Sequence, residues 1–305
     1  MTNNRNMLVV AHLQREDATD AAKRVIASLR EAGIGVVIAP SQPGLAHLAP
    51  GDTMVLGADV PASEVELGIS LGGDGTLLLA AELLRGSTAP LFGVNLGHVG
   101  FLAESEKDDL DYAISRALAR DYDVEERMAI DVVVKSGSDE VFRTWALNEA
   151  AIEKASPKKM IEVAVAVDDE PLSTFGCDGV VLATPTGSTA YSFSAGGPIV
   201  WPGVEALLMV PLAAHALFAR PLVTAPDSLL SVLVLERSAS SAVLSCDGRR
   251  EVAVEPGMRI EVSRSAEPVQ LARLHHGPFT TRLVRKFHLP VEGWRTPPGD
   301  GRLSR

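Results

Sequence analysis

Apolar and polar positions alternate on two different periods along this chain, and the period changes near residue 125. From residue 6 a solid apolar run, NMLVVAH, is followed by EDATDAAKRVIASLREAG, where apolar residues recur every three or four positions until Gly33 stops the pattern. The same alternation continues through GVVIA, VELGISL, TLLLAAELL, PLFGVN and DLDYAISRALAR. Buried strands separated by amphipathic helices predict an α/β domain with a parallel sheet over 1–125. Beyond it come short β-branched segments: IDVVVK, RTWALNEAAI, IEVAVAV, GVVLAT, SLLSVLVLE, AVLSCD, EVAVE, RIEVS and VQLARL. Turn signals such as VDDEP, CDGRR and EPGM separate them, which predicts an all-β, sandwich-like domain over 126–277. The remainder, 278–305, is expected to end in a mobile Pro/Gly tail.

Glycines interrupt these patterns where the apolar strands end. VELGISL leads into Gly72, Gly73, Asp74, Gly75 and Thr76 just before a helical run. A strand that ends in glycines and enters a helix turns backbone N–H groups and the positive helix end toward a ligand, and phosphate suits such a loop. Asp74 does not fit that picture unless it takes a proton or helps to hold a cation. The alternative is a tight turn in which its side chain bonds nearby backbone. NLGHVGFL, 95–102, repeats the strand-then-glycine pattern and could supply a second wall of one crevice. TPTGSTAYSFSAGGP, 184–198, is rich in hydroxyls, follows the strand GVVLA, and suits ribose, phosphate and base recognition; a plain surface loop is its other reading. Asn148 and Glu149 lie in an apolar run, either as sugar-hydroxyl ligands or as a polar pair at a hairpin end.

Composition narrows the partners. The chain has 305 residues, 46% of them hydrophobic, enough for two domains. Its 28 basic and 39 acidic residues give a net charge of −11, which argues against nucleic acid. No apolar run reaches membrane-spanning length and the start lacks a signal-peptide pattern, so a cytoplasmic protein with no membrane partner is expected. Cys177 and Cys246 are too few for a disulfide framework and are expected to be buried thiols. His275 and His276 have no trusted metal-ligand spacing. His215 reads as a core or helix-end histidine, and Arg249 and Arg250 either as a phosphate or subunit contact or as a solvated turn.

Taken in order, GGDGT at 72–76, NLGxxGFL at 95–102, NE at 148–149, DG at 178–179, TPTGSTAY at 184–191 and DG at 247–248 resemble the motif series of the NAD kinase family. HALFARPLV, with His215 and Arg220-Pro221, is similar to the family's His and Arg-Pro element, and SFSAGGP and GRREV are similar to actinobacterial members. The resemblance implies an α/β domain, then a β-sandwich, with the last segment returning to the first domain. It implies transfer of a phosphoryl group to the adenosine ribose 2′-hydroxyl of NAD, giving NADP. ATP is the implied donor, with polyphosphate as an alternative and Mg²⁺ as the divalent cation. Asp74 would be the base, and Gly72, Gly73, Gly75 and Thr76 the phosphate-donor loop. Gly75 would also lie against NAD. Asn148 and Glu149 would read ribose hydroxyls or the nicotinamide side. Thr186, Thr189, Ala190, Tyr191 and Ser194 would line the NAD pocket, and Asp178 would reach NAD, often across a subunit contact in a homodimer or tetramer. Two other readings remain: a lipid or sugar kinase with a related loop, and a dinucleotide-binding sensor without transfer.

Overall fold

The computed structural model describes residues 5–48, 51–97, 100–102, 105–106, 110–217, 219–274 and 277–291. The expected mobile tail beyond 291, the His275-His276 pair, His98 and Val99 of NLGHVGFL, and Phe218 of HALFARPLV lie outside them. The chain divides into two compact units. One runs to Glu125 and resumes at Gln270; the other is Glu126–Val269.

The first unit begins with β1 (Asn6–Ala11), α1 (Glu16–Glu31), β2 (Gly35–Ile38), β3 (Met54–Val55) and β4 (Leu67–Leu71). It continues with α2 (Asp74–Leu83), β5 (Leu91–Asn95), β6 (Ser105–Glu106), α3 (Leu110–Leu118) and β7 (Asp123–Arg127). Helix α1 forms because Ala18, Ala21, Ala22, Val25, Ile26 and Leu29 share one face, which is buried, with Glu16 and Asp17 at the positive end and Arg30 at the negative end. β1 and β4 are apolar but for Asn6 and Ser70 and buried at every position, as a sheet covered on both faces requires.

The second unit is antiparallel. Its strands are β8 (Ile130–Ser136), β9 (Asp139–Ala146), β10 (Glu149–Lys154), β11 (Ile161–Val167), β12 (Glu170–Cys177) and β13 (Gly179–Ala183). α4 (Tyr191–Ser194), β14 (Leu207–Leu212), β15 (Leu222–Thr224), β16 (Leu230–Val234), β17 (Ala242–Cys246), β18 (Arg250–Val254) and β19 (Met258–Arg264) follow. One six-stranded sheet runs β15-β14-β13-β10-β17-β18 and the other β12-β11-β16-β19-β8-β9. Inward residues of both, among them Val132, Ile152, Val163, Leu182, Val232 and Leu244, form the core between them. The turn signals act as their chemistry dictates. Asp168 and Asp169, both at positive φ, join β11 to β12, and Asp247 and Gly248, also at positive φ, join β17 to β18.

Two differences from the sequence expectation matter. VQLARL does not belong to the β-rich half. It forms β20 (Val269–Arg273), which lies between β5 and β7 in the first unit's sheet, order β3-β2-β1-β4-β5-β20-β7, so the chain returns well before residue 278. The closing helix α5 (Phe279–Phe287) follows it. RTWALNEAAI is not one strand either. The chain leaves β9 in one sheet and enters β10 in the other at Leu147-Asn148, because the apolar run serves two sheets in succession.

Candidate functional site

In the first unit the strand order reverses between β1 and β4: the chain moves outward from β1 to β2 and β3, then returns to β4 on the other side. The carboxyl ends of such strands border the crevice where open α/β sheets bind ligands. Residues 72–76 leave β4 at that point. Gly72 has φ +156°, and a Cβ there would lie 2.4 Å from the Thr76 hydroxyl, so the chain's own packing requires this glycine. Gly73 and Gly75 differ. Among the described residues a Cβ on either would meet nothing within 4 Å, and Gly73 has an ordinary φ of −89°. Their lack of side chains leaves room for something outside the chain.

Asp74 begins α2, half-buried, and its carboxylate is held by backbone 27 and 28 residues away. The Phe101 N–H donates to Oδ2 at 3.1 Å and the Leu102 N–H to Oδ1 at 3.2 Å. A Cβ at Gly100 would lie 2.4 Å from Oδ1, so the second glycine motif is bare because the carboxylate passes against it. The two glycine loops do meet. At the start of the same loop, Arg15 donates to the Leu96 carbonyl at 2.6 Å and pairs with Asp17.

In the second unit three motifs converge on one end of three adjacent strands. β10 starts at Glu149, which stands opposite Ala183, the last residue of β13, and Ala150 stands opposite Cys246, the last residue of β17. The segment after β13 is tied to the sheet crossover. Thr184 Oγ1 donates to the Leu147 carbonyl at 2.5 Å, and the Thr184 N–H donates to the Asn148 carbonyl at 2.9 Å. From the other side Asp247 accepts the N–H groups of Leu147, Asn148 and Glu149 at 2.9, 2.7 and 3.3 Å. Arg250 closes the bracket, 2.9 Å from Asp247 Oδ2, bonded to the Trp145 carbonyl, with its guanidinium 4.7 Å over the Trp145 ring.

These contacts set the charges. Burial raises the Asp247 carboxyl above its ordinary value, against the Leu147, Asn148 and Glu149 amides and Arg250, which pull it down. Glu149 is pushed up to about 8, first by burial and then by the Asp247 charge, against one N–H from Tyr191. One of its oxygens has no hydrogen-bonding partner among the described residues. A buried protonated carboxyl with a spare polar atom is suited to a ligand hydroxyl. Tyr191 lies along the same sheet face and donates its hydroxyl to Glu153 at 2.6 Å. Thr186 is buried, Thr189 and Ala190 are half-buried, and Ser194 is exposed.

Asp178 is not with this group. It precedes β13 at the opposite end and pairs with Lys154 at 2.6 Å. His215 is neither in the core nor at a helix end: it is exposed, and its N–H donates to the Gly176 carbonyl. Arg250 faces inward to Asp247 and Trp145, so it is not a solvated turn residue, while Arg249 is exposed. Cys177 and Cys246 are buried, and burial pushes both thiols up to about 12. The role of Asp247 had no sequence signal beyond a turn-like Asp-Gly.

Among the described residues no three His, Cys, Asp or Glu side chains gather as a metal cage, and no helix is long and apolar enough to cross a membrane. A divalent cation of the Mg²⁺ type takes one or two carboxylates and completes its shell with substrate phosphates and water. Asp74 beside an open glycine loop fits that limited demand.

An α/β unit with a glycine loop at its switch point, joined to an antiparallel sandwich that gathers buried polar groups, defines a two-domain α/β-plus-sandwich protein. Comparison makes this specific. Residues 7–122 match the ATP-NAD kinase N-terminal domain and 147–274 the ATP-NAD kinase C-terminal domain. The chain is 57% identical over 307 residues to an NAD kinase of Leifsonia xyli, covering 98% of this chain and 99% of that one. It is 47% identical over 306 residues to an NAD kinase of Mycobacterium tuberculosis, covering 97% and 99%. In fold it resembles a yeast NADH kinase complexed with NADH (TM-score 0.87, 22% identity, 97% and 91% covered). It also resembles an Archaeoglobus fulgidus NAD kinase in complex with ATP (TM-score 0.71, 25% identity, 94% and 100% covered). The chain belongs to the ATP-NAD kinase family.

Proposed function

We propose that the chain transfers the γ-phosphoryl group of ATP to the 2′-hydroxyl of the adenosine ribose of NAD, with Asp74 as the base. The observation that carries this reading is the Asp74 carboxylate fixed at the switch point beside Gly73 and Gly75, which face open space among the described residues. Transfer to a hydroxyl needs alignment, charge neutralisation and somewhere for one proton to go. Asp74 accepts that proton as the ribose oxygen attacks phosphorus. Gly72, Gly73, Gly75 and Thr76 form the donor loop, and Gly75 also lies against NAD. A Mg²⁺ ion would neutralise charge on the donor phosphates; holding that ion is the role that competes with proton transfer at Asp74. Polyphosphate presents the same anhydride chemistry and is the second proposed donor.

Asn148, Glu149, Thr186, Thr189, Ala190, Tyr191 and Ser194 hold NAD in this reading. Its support is their gathering around one end of β13, β10 and β17. Asp178 stands apart, so its proposed contact with NAD depends on a second copy of the chain in a homo-oligomer. The protein is proposed to work in the cytoplasm.

The test is incubation with NAD, ATP and Mg²⁺ while NADP and ADP are measured. Phosphorylation of lipid or sugar in place of NAD, or NAD binding without ADP, would each replace this reading. Within it, Asp74→Asn should lower turnover about 10²- to 10⁴-fold while NAD binding, read by calorimetry, persists. Full turnover in that variant would remove Asp74 from the chemistry.

A further inference from the structure

Both residues whose N–H groups hold Asp74 have their carbonyls held by arginines of the returning segment. The Phe101 N–H donates to Asp74 while its carbonyl accepts from Arg282 Nη1 at 3.0 Å. The Leu102 N–H donates to Asp74 while its carbonyl accepts from Arg273 Nη1 at 2.9 Å. Arg273 is buried and fixed in turn by Glu125 at 2.6 Å. The Phe101 ring packs against Phe279 and Phe287 of α5, centroids 5.7 and 5.8 Å away. Gly100 leaves no slack, since the carboxylate already fills the place of a side chain there.

We propose that Arg282 and the Phe279/Phe287 pair of α5, with Arg273 of β20, are positioning residues that set the orientation of the Asp74 carboxylate for phosphoryl transfer. The inference rests on the reading of Asp74 as the base. The Phe101 carbonyl and the Leu102 N–H belong to one peptide group, so Arg282 makes that N–H a more polarised donor to Asp74 Oδ1 and fixes its direction. Arg273 anchors the next carbonyl, that of Leu102, and so holds the same turn of backbone in place. Only Leu283 of α5 is buried, so the helix contributes little to the core, while both its phenylalanines and Arg282 meet Phe101, one of the two residues whose N–H groups hold Asp74. Loosening this grip should be felt in turnover more than in folding or coenzyme affinity.

The experiment is a double-mutant cycle on the full chain: wild type, Arg282→Ala, Asp74→Asn and the double variant, with Arg282→Lys alongside. Turnover is followed with radiolabelled ATP so that slow rates are readable, and melting temperature is recorded for each protein. Arg282→Ala is expected to lower kcat about ten- to a hundredfold. KM for NAD should stay within about twofold, and Arg282→Lys should recover part of the rate. In the Asp74→Asn background the same change should cost no more than about twofold, because the group it orients is gone. An unchanged kcat in Arg282→Ala, or an equal loss in both backgrounds, overturns the proposal. If Arg282→Ala melts below the assay temperature, Arg282→Lys, which keeps the charge without the planar fork, takes its place in the cycle under the same two outcomes. Wild-type turnover in Asp74→Asn alone would show that the reading of Asp74 had failed, whatever Arg282 does.

Discussion

The Glu149 carboxyl sits under two pressures that act in the same direction, burial and the neighbouring Asp247 anion, and together they raise it from an ordinary 4.5 to about 8. In the unfolded chain it loses its proton near the ordinary value. Between the two, the folded protein binds a proton that the unfolded chain does not, so stability falls as pH rises from about 4.5 to about 8. Glu149→Gln keeps the shape and removes the titration. The variant should show a flatter dependence of denaturation midpoint on pH over that interval, with the gap from wild type largest at the alkaline end; equal slopes would show that Glu149 is not the group responsible. Glu149 was visible in the sequence as a polar residue within an apolar run. Its bracket was not, because Asp247 is about a hundred residues away and its Asp-Gly reads as a turn whether or not the side chain faces inward.

At the scale of elements, the glycines divide by what they face. Gly187 lies in the turn after β13, and a Cβ there would come within 2.0 Å of the Asn148 carbonyl, a backbone atom that cannot swing aside. Gly187→Ala should cost about 1–3 kcal/mol by chemical denaturation and displace the crossover that presents Asn148 and Glu149. Gly75→Ala should do the reverse. Space is open there and alanine favours a helix, so stability should hold or rise by up to about 1 kcal/mol. KM for ATP or NAD should climb about tenfold as the methyl group enters the ligand's space, equivalent to about 1.4 kcal/mol. A Gly75→Ala protein with normal KM values would show that the bare loop is not a ligand surface. The sequence shows these glycines clearly, since they punctuate apolar runs, but not which of them serves the fold. It also hides the break in RTWALNEAAI, because hydrophobicity is continuous across a change of sheet.

For the whole molecule, the α/β and β-rich halves are legible because their periodicities differ, and because turn pairs such as Asp168-Asp169 carry their own backbone preference. The place of VQLARL is not. A short apolar strand reads alike in either half, and only its pairing places β20 between β5 and β7. The first unit is therefore built from both ends of the chain. Truncation after Val269 should leave β5 and β7 without their shared neighbour and Glu125 without Arg273. That protein should be insoluble or non-cooperative in thermal melts, whereas a chain ending at Val291 keeps every described element and should melt as the full protein does. An equally sharp transition in the shorter chain would show that β20 is dispensable.

A ribosome releases the β-rich middle of this polypeptide before it has delivered the strand that completes the opening half. Parallel strands made first must wait, with a hydrophobic edge uncovered, until Val269–Arg273 has been made. The nascent stretch carrying Asp74 cannot mature in order of synthesis, and during that delay it is the part of the molecule most exposed to mispairing or to capture by a chaperone.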